Sequence, residues 1–328
     1  MFEWTDKKVL VTGAGGFIGS HLAERLAERC ARVRAMVHYH ALGARGWLDR
    51  SPWAEKMEVV AGDVRDREMV EEIVSGIEVV FHLAALIAIP YSYRAPMSYV
   101  GTNVEGTLNL LNAARRSGVK LVVHTSTSEV YGTARYVPID EQHPLQAQSP
   151  YAATKIAADK LTESFFLSYG LPATVVRPFN TYGPRQTARA VIPAIISQAL
   201  TSGEVRLGNL DPTRDFNYVA DTVEGFIKAA ECPQAIGQVI NLGTGREVSV
   251  RQLVGMVQEL LKKDLAVITE EARARPEGSE VERLLASNRK AVQMIGWSPE
   301  YSLEQGLRLT IDWMKDHLDY YRADHYAV

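Results

Sequence analysis

The chain has 328 residues, of which 46% are hydrophobic and 23% are charged, as in an ordinary globular protein. Its formal net charge of −3 at pH 7 argues against a nucleic-acid-binding protein held by bulk positive charge. No apolar run approaches the roughly 20 residues that a membrane-spanning helix needs. The first residues, "MFEWTDKKVLVTG", lack the pattern of a secretory signal, so we expect a cytoplasmic protein with no membrane partner.

Short apolar segments alternate with segments of helical spacing through the first half of the chain. The segment "KVLVTG" (residues 8–13) predicts a buried strand, and the following "FIGSHLAERLAERC" predicts a helix. Further strands are predicted at residues 33–37, 57–63, 78–84 and 120–126, and helices near residues 66–75 and 97–117. Continuous apolar strands separated by helices indicate a parallel sheet covered on both faces. We therefore predict an α/β fold with a doubly wound parallel sheet, the Rossmann arrangement.

The alternation becomes less regular after residue 172. Later elements are predicted as strands at residues 173–180 and 239–245 and as C-terminal helices near residues 288–295 and 302–317. They are separated by a loop, "TYGPRQTARAVIP", and by a charged segment without a clean period, "EEARARPEGSEVERL". We predict a Rossmann domain formed by residues 1–172 plus about 215–243. A smaller, irregular α/β substrate-binding domain would comprise about residues 173–214 plus 244–328.

The two cysteines, Cys30 and Cys232, do not occur in a spacing that binds metal. We expect neither a metal site nor a disulfide, and we interpret both residues as small buried hydrophobic side chains.

The segment "GAGGFIG" joins the first predicted strand to the first predicted helix. Gly13 permits a tight turn, Gly16 lets the backbone approach a pyrophosphate, and Gly19 allows close packing of helix on strand. The helix N-terminus at Phe17 and Ile18 then offers free N–H groups and a partial positive charge to the phosphates. Because the glycines follow a strand and open a helix, they predict dinucleotide binding by the larger domain.

The end of the second predicted strand reads "VHYHALGAR" and carries His38 where an acid often binds the adenosine ribose of NAD. An acid would repel a 2′-phosphate, so its absence leaves NADP open as the cofactor. Asp63 and Val64, after the third strand, are interpreted as neighbours of the adenine.

A helix beginning near Ser149 carries Tyr151 and Lys155 four positions apart, on one face. A free tyrosine has a pKa of roughly 10, and a nearby ammonium favours the phenolate. The pair can therefore act as a general base for a hydroxyl proton. Since ligands of such sheets bind at the carboxyl ends of the strands, we expect this pair to meet the segment "TSTSEVYG", which follows the fifth strand.

Together these segments resemble the extended short-chain dehydrogenase/reductases that act on nucleotide sugars. The matching motifs span most of the chain and read GAGGFIG, GDVRD, HLAA, NVEGTLNLL, TSEVYG, SPYAATK and RPFNTYGPRQ. The resemblance implies a tightly held NAD(P), with NAD favoured by the family, a nucleotide-sugar substrate, and a catalytic set of Thr127, Tyr151 and Lys155. It also implies further cofactor contacts from Leu83, Ala84, Ala85, Asn103, Thr125 and Pro178.

The resemblance also bears on the reaction through Glu129, the carboxylate of "TSTSEVYG". In the 4,6-dehydratases that resemble this chain, a glutamate here takes the C5 proton after C4 is oxidised; water then leaves and hydride returns to C6. Glucose-type dehydratases carry an acid where this chain has Ser128, so Glu129 handles both protons or Ser128 relays one. The chain most resembles GDP-mannose-type and legionaminic-acid-pathway dehydratases, which implies GDP- or UDP-N-acetylglucosamine or a related hexose as substrate.

Other interpretations stay open. A C4-epimerase uses the same scaffold, and UDP-glucuronate decarboxylases also carry TSEVYG. A catalytically idle NAD(P)-binding regulatory protein is disfavoured, because it would be expected to lose Tyr151 or Lys155. The nucleotide base, whether GDP, UDP or dTDP, is likewise left open.

The substrate diphosphate needs cations, and arginine binds phosphates through its planar fork. The segments that resemble the family's nucleotide-sugar site supply the predicted contacts Asn180, Arg185, Arg189, Val191, Leu207, Asn209, Arg214 and Arg275, with Thr127. In the loop after the fourth strand, Tyr91 and Ser92 are predicted to touch the sugar.

The two long helices near residues 97–117 and 151–169 carry more apolar residues than one buried stripe requires. These are Val100, Val104, Leu108 and Leu111 on the first helix and Ile156, Leu161, Phe165 and Phe166 on the second. Related enzymes pair these helices in a four-helix bundle, so we predict a homodimer.

Overall fold

The computed structural model of the protein describes residues 3–273 and 275–321. Its strands are β1 (Lys8–Thr12), β2 (Arg32–Val37), β3 (Glu58–Ala61), β4 (Val79–His82), β5 (Leu121–Thr125), β6 (Ala173–Pro178), β7 (Asn180–Tyr182), β8 (Glu204–Leu207), β9 (Thr213–Tyr218), β10 (Val239–Leu242), β11 (Glu247–Ser249), β12 (Ala266–Thr269) and β13 (Arg283–Leu284). Its α-helices are α1 (Phe17–Glu28), α2 (Arg67–Val74), α3 (Ile89–Arg94), α4 (Pro96–Tyr99), α5 (Gly106–Arg116), α6 (Pro150–Tyr169), α7 (Val191–Thr201), α8 (Val219–Glu231), α9 (Val250–Leu261), α10 (Arg289–Ile295) and α11 (Leu303–Lys315).

A seven-stranded parallel sheet forms the centre of the protein, in the order β10-β6-β5-β4-β1-β2-β3. Val9, Leu10 and Val11 of β1 are fully buried, because helices cover both faces of the sheet. The chain runs outward from β1 in one direction and then returns to β4 on its other side. This reversal opens a crevice at the carboxyl ends of β1 and β4, and the predicted doubly wound fold is confirmed.

Two smaller sheets follow from the later part of the chain. In the first, β9 pairs with β7, β11 and β13, and in the second, β8 pairs with β12. The predicted start of the returning Rossmann segment, at about residue 215, falls inside β9, which pairs in the smaller sheet. We propose the division into a cofactor domain and a substrate domain on the basis of these separate sheets.

The helix predicted over residues 97–117 is not continuous. A π-helical segment, Val100–Glu105, separates α4 from α5. Such segments insert an extra residue into the turn and are frequent at functional sites. Here the π-helical segment contains Asn103, whose side chain is buried.

The apolar residues predicted for a dimer interface are not all available for one. Leu111 and Phe165 are 1% and 5% exposed and pack in the protomer's own core, because α5 and α6 cover the central sheet. Val100 is 42% exposed, and the other five are partly buried. Leu111 and Phe165 are therefore removed from the predicted interface, and the homodimer itself stays a prediction.

The cysteine prediction is wrong for Cys30, which is exposed after the end of α1, in a left-handed conformation with φ of 63°. Both cysteines are free. In residues 3–273 and 275–321 there is no cluster of three metal-binding side chains and no helix that is both long and apolar enough to cross a membrane.

Candidate active site

A cavity of about 940 Å³ lies at the carboxyl ends of the central strands. One wall consists of the glycine loop after β1 and the segments that follow β2, β4 and β5. The opposite wall comes from the chain after β6, from α7 and from the smaller sheets. Its volume is at the upper end of the range for small-molecule sites, and its position is the crevice expected of a doubly wound sheet.

The glycine loop forms the floor of the cavity under the N-terminus of α1. Gly13 has φ of 70°, and a Cβ there would lie 2.9 Å from the backbone nitrogen of Ala84. A Cβ on Gly19 would overlap the carbonyl oxygen of Gly13. Gly16 caps α1, and no side chain accepts from the first N–H groups of the helix, so they are free for an anion. The predicted Phe17 and Ile18 line the cavity here as well.

Three buried polar atoms of the cavity wall have no hydrogen-bond partner within the described residues. They are Thr125 Oγ1, Asn180 Oδ1 and Gln186 Oε1. A buried polar atom without a partner costs free energy, so these positions fit a polar ligand. Together with the uncapped helix, they show that the residues present suit a dinucleotide and a second polar molecule.

Beyond the end of β2 the cavity is lined by His38, Tyr39, His40 and Arg45. No carboxylate lines this part of the cavity within the described residues. Asp63, predicted to lie beside the adenine, does not line the cavity. A hydrogen bond from Arg65 lowers the pKa of its carboxyl group, and its Oδ2 lies 3.8 Å from His38 Nε2.

Val64 does not line the cavity either, because it is buried beneath α5, where its side chain would contact a Cβ placed on Gly106. Neither residue lines the cavity in this structure, and their contact with the adenine stays a prediction.

The loop after β4 is fixed by a chain of hydrogen bonds that sets the protonation of His82. Thr12 Oγ1 accepts from the backbone N–H groups of Leu83 and Ala84, at 3.1 Å each, so its own proton is donated to His82 Nδ1 at 2.9 Å. His82 Nε2 therefore carries the proton and donates to Thr107 Oγ1 at 3.1 Å. Burial holds the pKa of His82 well below its usual range, as this neutral tautomer requires. The predicted residues Leu83 and Ala84, with Ala85, line the cavity.

Asn103 does not line the cavity, and its predicted cofactor contact stays a prediction. Its side-chain oxygen accepts from Leu86 N at 2.8 Å, and its nitrogen donates to Leu86 O and Thr154 Oγ1 at 3.0 Å. The π-helical segment thus turns Asn103 inward, where it ties the loop after β4 to α6.

Helix α6 presents Tyr151 and Lys155 to the cavity. Ser149 caps the helix by accepting from Ala152 N at 3.1 Å, and Pro150 occupies its first position. Lys155 Nζ donates to the backbone carbonyl oxygen of Thr125 at 2.5 Å. Burial lowers the pKa of Lys155 to about 8, although the charge of Asp159 raises it.

Tyr151 is buried, and this burial raises the pKa of its phenol above the usual value. A hydrogen bond with Thr127 acts in the opposite direction, and the negative charge of Glu129 raises the pKa further. Tyr151 is therefore a phenol in this state, and it becomes a base only when additional positive charge reaches the site.

Glu129 lies on a short 3₁₀ turn, Ser128–Tyr131, at the end of β5. Its backbone N–H donates to Thr127 Oγ1 at 3.2 Å, and both residues line the cavity. The carboxylate is nearly buried, and its Oε2 lies 3.4 Å from Arg275 Nη1. Ser128 is buried and also lines the cavity.

The opposite wall is strongly basic. Arg189, Arg214 and Arg275, all predicted from the sequence, line the cavity. Arg273, and Arg45 on the other wall beyond β2, also line the cavity and were missed, although both occur in segments singled out for other reasons. Among the residues that the structure describes, the carboxylates on the cavity wall are Glu129 and Glu280, and Glu280 lies 3.3 Å from Arg214. A chain of net charge −3 thus places an excess of cations where a diphosphate would bind. The predicted contacts Pro178, Asn180, Val191, Leu207 and Asn209 line this cavity too.

Three predicted substrate contacts do not line the cavity. Arg185 points to α1 and pairs with Glu24 at 3.0 Å. Ser92 is buried and donates to Ile89 O at 2.7 Å within α3, and Tyr91 is exposed on the outer side of that helix. The cavity wall here is instead apolar, formed by Ile87, Ala88, Ile89 and Pro90. Only the folded loop decides which face of α3 meets the cavity, so no local pattern could have predicted that these apolar residues line it.

A buried polar network that sequence reasoning missed lies under Lys155. Asp159 Oδ2 accepts from Ser126 Oγ at 2.8 Å and from Arg177 Nη2 at 2.9 Å. Arg177 Nη1 continues the network to Tyr131 OH at 2.9 Å, and His124 Nε2 lies 3.4 Å from Asp159 Oδ1. This network joins β5, β6 and α6 beneath the cavity, and its carboxylate balances part of the charge of Lys155.

The chain is similar over most of its length to enzymes that act on nucleotide sugars. Residues 10–310 match the family model described as GDP-mannose 4,6 dehydratase. UDP-glucose 4-epimerase of Mycolicibacterium smegmatis is 34% identical over 315 residues, covering 94% of this chain and 99% of that protein. UDP-N-acetyl-alpha-D-glucosaminuronate decarboxylase of Bacillus cytotoxicus is 32% identical over 324 residues, covering 94% and 98%. The crystal structure of the dTDP-glucose 4,6-dehydratase DesIV from Streptomyces venezuelae, with NAD bound, superposes with a TM-score of 0.87 at 28% identity and covers 96% and 98% of the two chains.

Proposed function

Because this chain belongs to the GDP-mannose 4,6-dehydratase family of NAD(P)-dependent nucleotide-sugar dehydratases and epimerases, we propose that it is a nucleotide-sugar 4,6-dehydratase. The observation that carries the proposal is the buried carboxylate of Glu129, which shares one cavity with Tyr151 and whose negative charge raises the pKa of the Tyr151 phenol. A second proton acceptor beside the phenol is what elimination across C5–C6 requires and what a simple C4 epimerisation does not.

In the first step, Tyr151 takes the proton of the C4 hydroxyl. The bound nicotinamide dinucleotide supplies the hydride acceptor for C4, later the hydride donor for C6, and a positive charge that favours the phenolate. Lys155 adds its own charge, since a pKa of about 8 leaves it mostly protonated at neutral pH. Its hydrogen bond to Thr125 O fixes the ammonium on the cavity side of α6.

In the second step, the C4 ketone makes the C5 proton acidic, and Glu129 removes it. The 6-hydroxyl leaves with one proton as water, so the C5–H and C6–O bonds break and a C5–C6 double bond forms. Glu129, now protonated, is positioned to supply the proton to the leaving hydroxyl, directly or through Ser128. Glu129 then takes up a proton from solvent and returns it to C5 while hydride adds to C6, and Tyr151 releases the proton of the C4 hydroxyl to solvent. The product is the 4-keto-6-deoxy sugar.

We propose a GDP- or UDP-linked N-acetylglucosamine or a related hexose as the substrate. The diphosphate is assigned to Arg189, Arg214 and Arg275, because these cations line the wall opposite the glycine loop. We also propose that the protein works in the cytoplasm as a homodimer.

Two other reactions remain candidates for specific reasons. Arg275, beside Glu129, would also suit the C6 carboxylate of a uronate, which favours a decarboxylase. The similarity to UDP-glucose 4-epimerase favours C4 inversion.

Incubation with a panel of GDP, UDP and dTDP sugars, followed by product analysis, separates the three reactions. A 4-keto-6-deoxy sugar supports the proposal, whereas an inverted C4 or released carbon dioxide contradicts it. Thermal-shift measurements with the same panel identify the nucleotide, because a ligand at 100 times its dissociation constant stabilises the fold by about 2.7 kcal/mol.

A further inference from the structure

The loop between β7 and α7, residues 183–190, forms a strap along the cavity. Its residues Gln186, Thr187, Ala188, Arg189 and Ala190 line the wall that faces the glycine loop. The strap begins with two residues of positive φ, Gly183 at 152° and Arg185 at 71°. A non-glycine residue in this conformation persists only where its surroundings hold it there, so the contacts of Arg185 need an explanation.

Arg185 fastens the strap to the helix that opens after the glycine loop. Its guanidinium makes two contacts with the Glu24 carboxylate, each at 3.0 Å, and donates to Ser20 Oγ at 3.1 Å. Ser20 Oγ in turn donates to Phe17 O, in the first turn of α1. The side chains of Arg185 and Glu24 are 15% and 16% exposed, so this is a two-pronged ion pair largely shielded from water.

Two further contacts hold the same strap. His21 Nε2 donates to Pro184 O at 3.1 Å, and burial followed by the charge of Arg185 lowers the pKa of His21 to about 4, so the ring is neutral. On the other side, Tyr321 OH donates to Gln186 O at 3.0 Å. The strap is thus tied to α1 and to the C-terminal segment, while its central residues face the cavity.

We propose that the Arg185–Glu24 ion pair is a latch that holds the strap across the bound dinucleotide and slows its release. Arg185 and Glu24 are positioning residues, since neither lines the cavity. The pyrophosphate cradle is the N-terminus of α1, and the latch begins one turn further along the same helix. For a dinucleotide on the glycine loop to leave, the strap must move away from α1, which breaks the two-pronged contact.

The latch has a direct use in the proposed reaction. A dehydratase takes a hydride from C4 and must return it to C6, so the reduced dinucleotide has to stay bound between the two steps. The inference itself rests on dinucleotide binding and not on the dehydration. It is tested without substrate, so its failure and a failure of the proposed reaction are distinguishable.

The test measures how fast the protein releases NADH and, in a parallel series, NADPH. The loaded protein is mixed with a large excess of the oxidised dinucleotide, and the decay of the bound fluorescence gives the dissociation rate. Glu24→Gln and Arg185→Gln keep similar shapes but remove the ion pair, and each is expected to release the probe about tenfold faster. The matched control is Glu28→Gln on the same helix, whose carboxylate pairs with Arg25 at an exposed site. Its release rate should stay within about twofold of wild type.

A charge exchange distinguishes the latch from a general loosening of the loop. Glu24→Arg alone should accelerate release at least as much as Glu24→Gln, and adding Arg185→Glu should return the rate to within about threefold of wild type. Unchanged release from both glutamine variants, or equal acceleration by Glu28→Gln, would overturn the proposal. If Arg185→Gln does not fold, Arg185→Lys keeps the charge without the fork. It is expected to release the probe faster than wild type, and an unchanged rate would again overturn the latch.

Discussion

The carboxylate of Glu129 and the guanidinium of Arg275 lie 3.4 Å apart, in contact across the two walls of the cavity. Glu129 lies on the turn after β5 of the central sheet, and Arg275 lies in the charged segment after β12, 146 positions later. A potential proton acceptor is thus held by a cation that is also suited to the substrate. This pairing makes Glu129 the most informative residue for the reaction.

Glu129→Gln keeps the shape of the side chain but removes the base. The first half-reaction, hydride transfer from C4, does not need this carboxylate, so the variant should oxidise bound substrate and then stall. We expect the absorbance of reduced nicotinamide to accumulate with little 6-deoxy product.

In deuterated water the wild-type product should carry one solvent deuteron at C5, because the proton that Glu129 removes leaves with the water and C5 is then protonated from solvent. A product without deuterium at C5 would contradict the dehydratase. Normal turnover of Glu129→Gln with deuterium incorporation would instead assign the base to another group.

Tyr151→Phe should abolish turnover while leaving dinucleotide affinity nearly unchanged. The phenol is the proposed acceptor of the C4 hydroxyl proton, and a general base contributes roughly 10²–10⁴-fold to the rate. Steady-state kinetics and titration with NADH measure the two effects separately. A variant within about threefold of wild-type activity would remove Tyr151 from the mechanism.

The buried imidazole of His124 predicts a loss of stability in acid. Burial lowers its folded-state pKa to about 4 from a usual value of 6.5, so the unfolded chain binds the proton first as the pH falls. Stability should therefore decrease as the pH is lowered from about 6.5 to about 4, by about 3 kcal/mol for this group.

Urea unfolding at a series of pH values measures this dependence. His124→Gln cannot take up the proton and should show a flatter profile over the same range. An unchanged pH dependence in the variant would assign the acid sensitivity to other groups, such as His82.

Cofactor choice is predicted to depend on position 38. His38 lies at the end of β2, where the cavity wall has no carboxylate within the described residues. His38→Asp introduces an acceptor for the ribose hydroxyls of NAD and repels a 2′-phosphate, so the ratio of NADP to NAD affinity should fall about tenfold. Titration of both dinucleotides measures the ratio, and Tyr39→Asn, which adds no charge, is the control. An unchanged ratio in His38→Asp would show that another part of the wall sets the preference.

The homodimer is tested through Val100, which is 42% exposed on the π-helical segment. Light scattering at micromolar protein should give the mass of two chains, and Val100→Arg should shift it toward one. Val267→Arg changes a comparably exposed valine, 41% exposed on β12, and should leave the mass unchanged. A single-chain mass for the wild-type protein refutes the dimer.

Local sequence patterns were sufficient to predict those parts of the candidate site that consist of residues close together in the chain. The glycine loop, the Tyr151–Lys155 pair on α6 and the turn that carries Glu129 each consist of neighbouring residues. Strand alternation and helical spacing decide which way their side chains face. For the same reason the parallel sheet could be predicted from its apolar strands.

Residues whose role depends on loop conformation or on distant partners could not be predicted. Arg185 belongs to the same short segment as Arg189, yet its left-handed backbone turns it toward Glu24 and away from the cavity. Asn103 forms hydrogen bonds with Leu86 and Thr154 because a π-helical turn rotates its side chain inward.

By itself, the sequence determined the fold class and the dinucleotide-binding glycine loop, since these follow from local periodicity and from the chemistry of glycine. The proposed catalytic groups were implied by the resemblance of its motifs to a known family. Tertiary structure alone decided which arginines line the cavity, that Arg275 meets Glu129, and that Asp159 and Arg177 lie beneath Lys155. These contacts join residues far apart in the chain, and their geometry is set by the packing of several elements at once. Local spacing carries no information about such an arrangement.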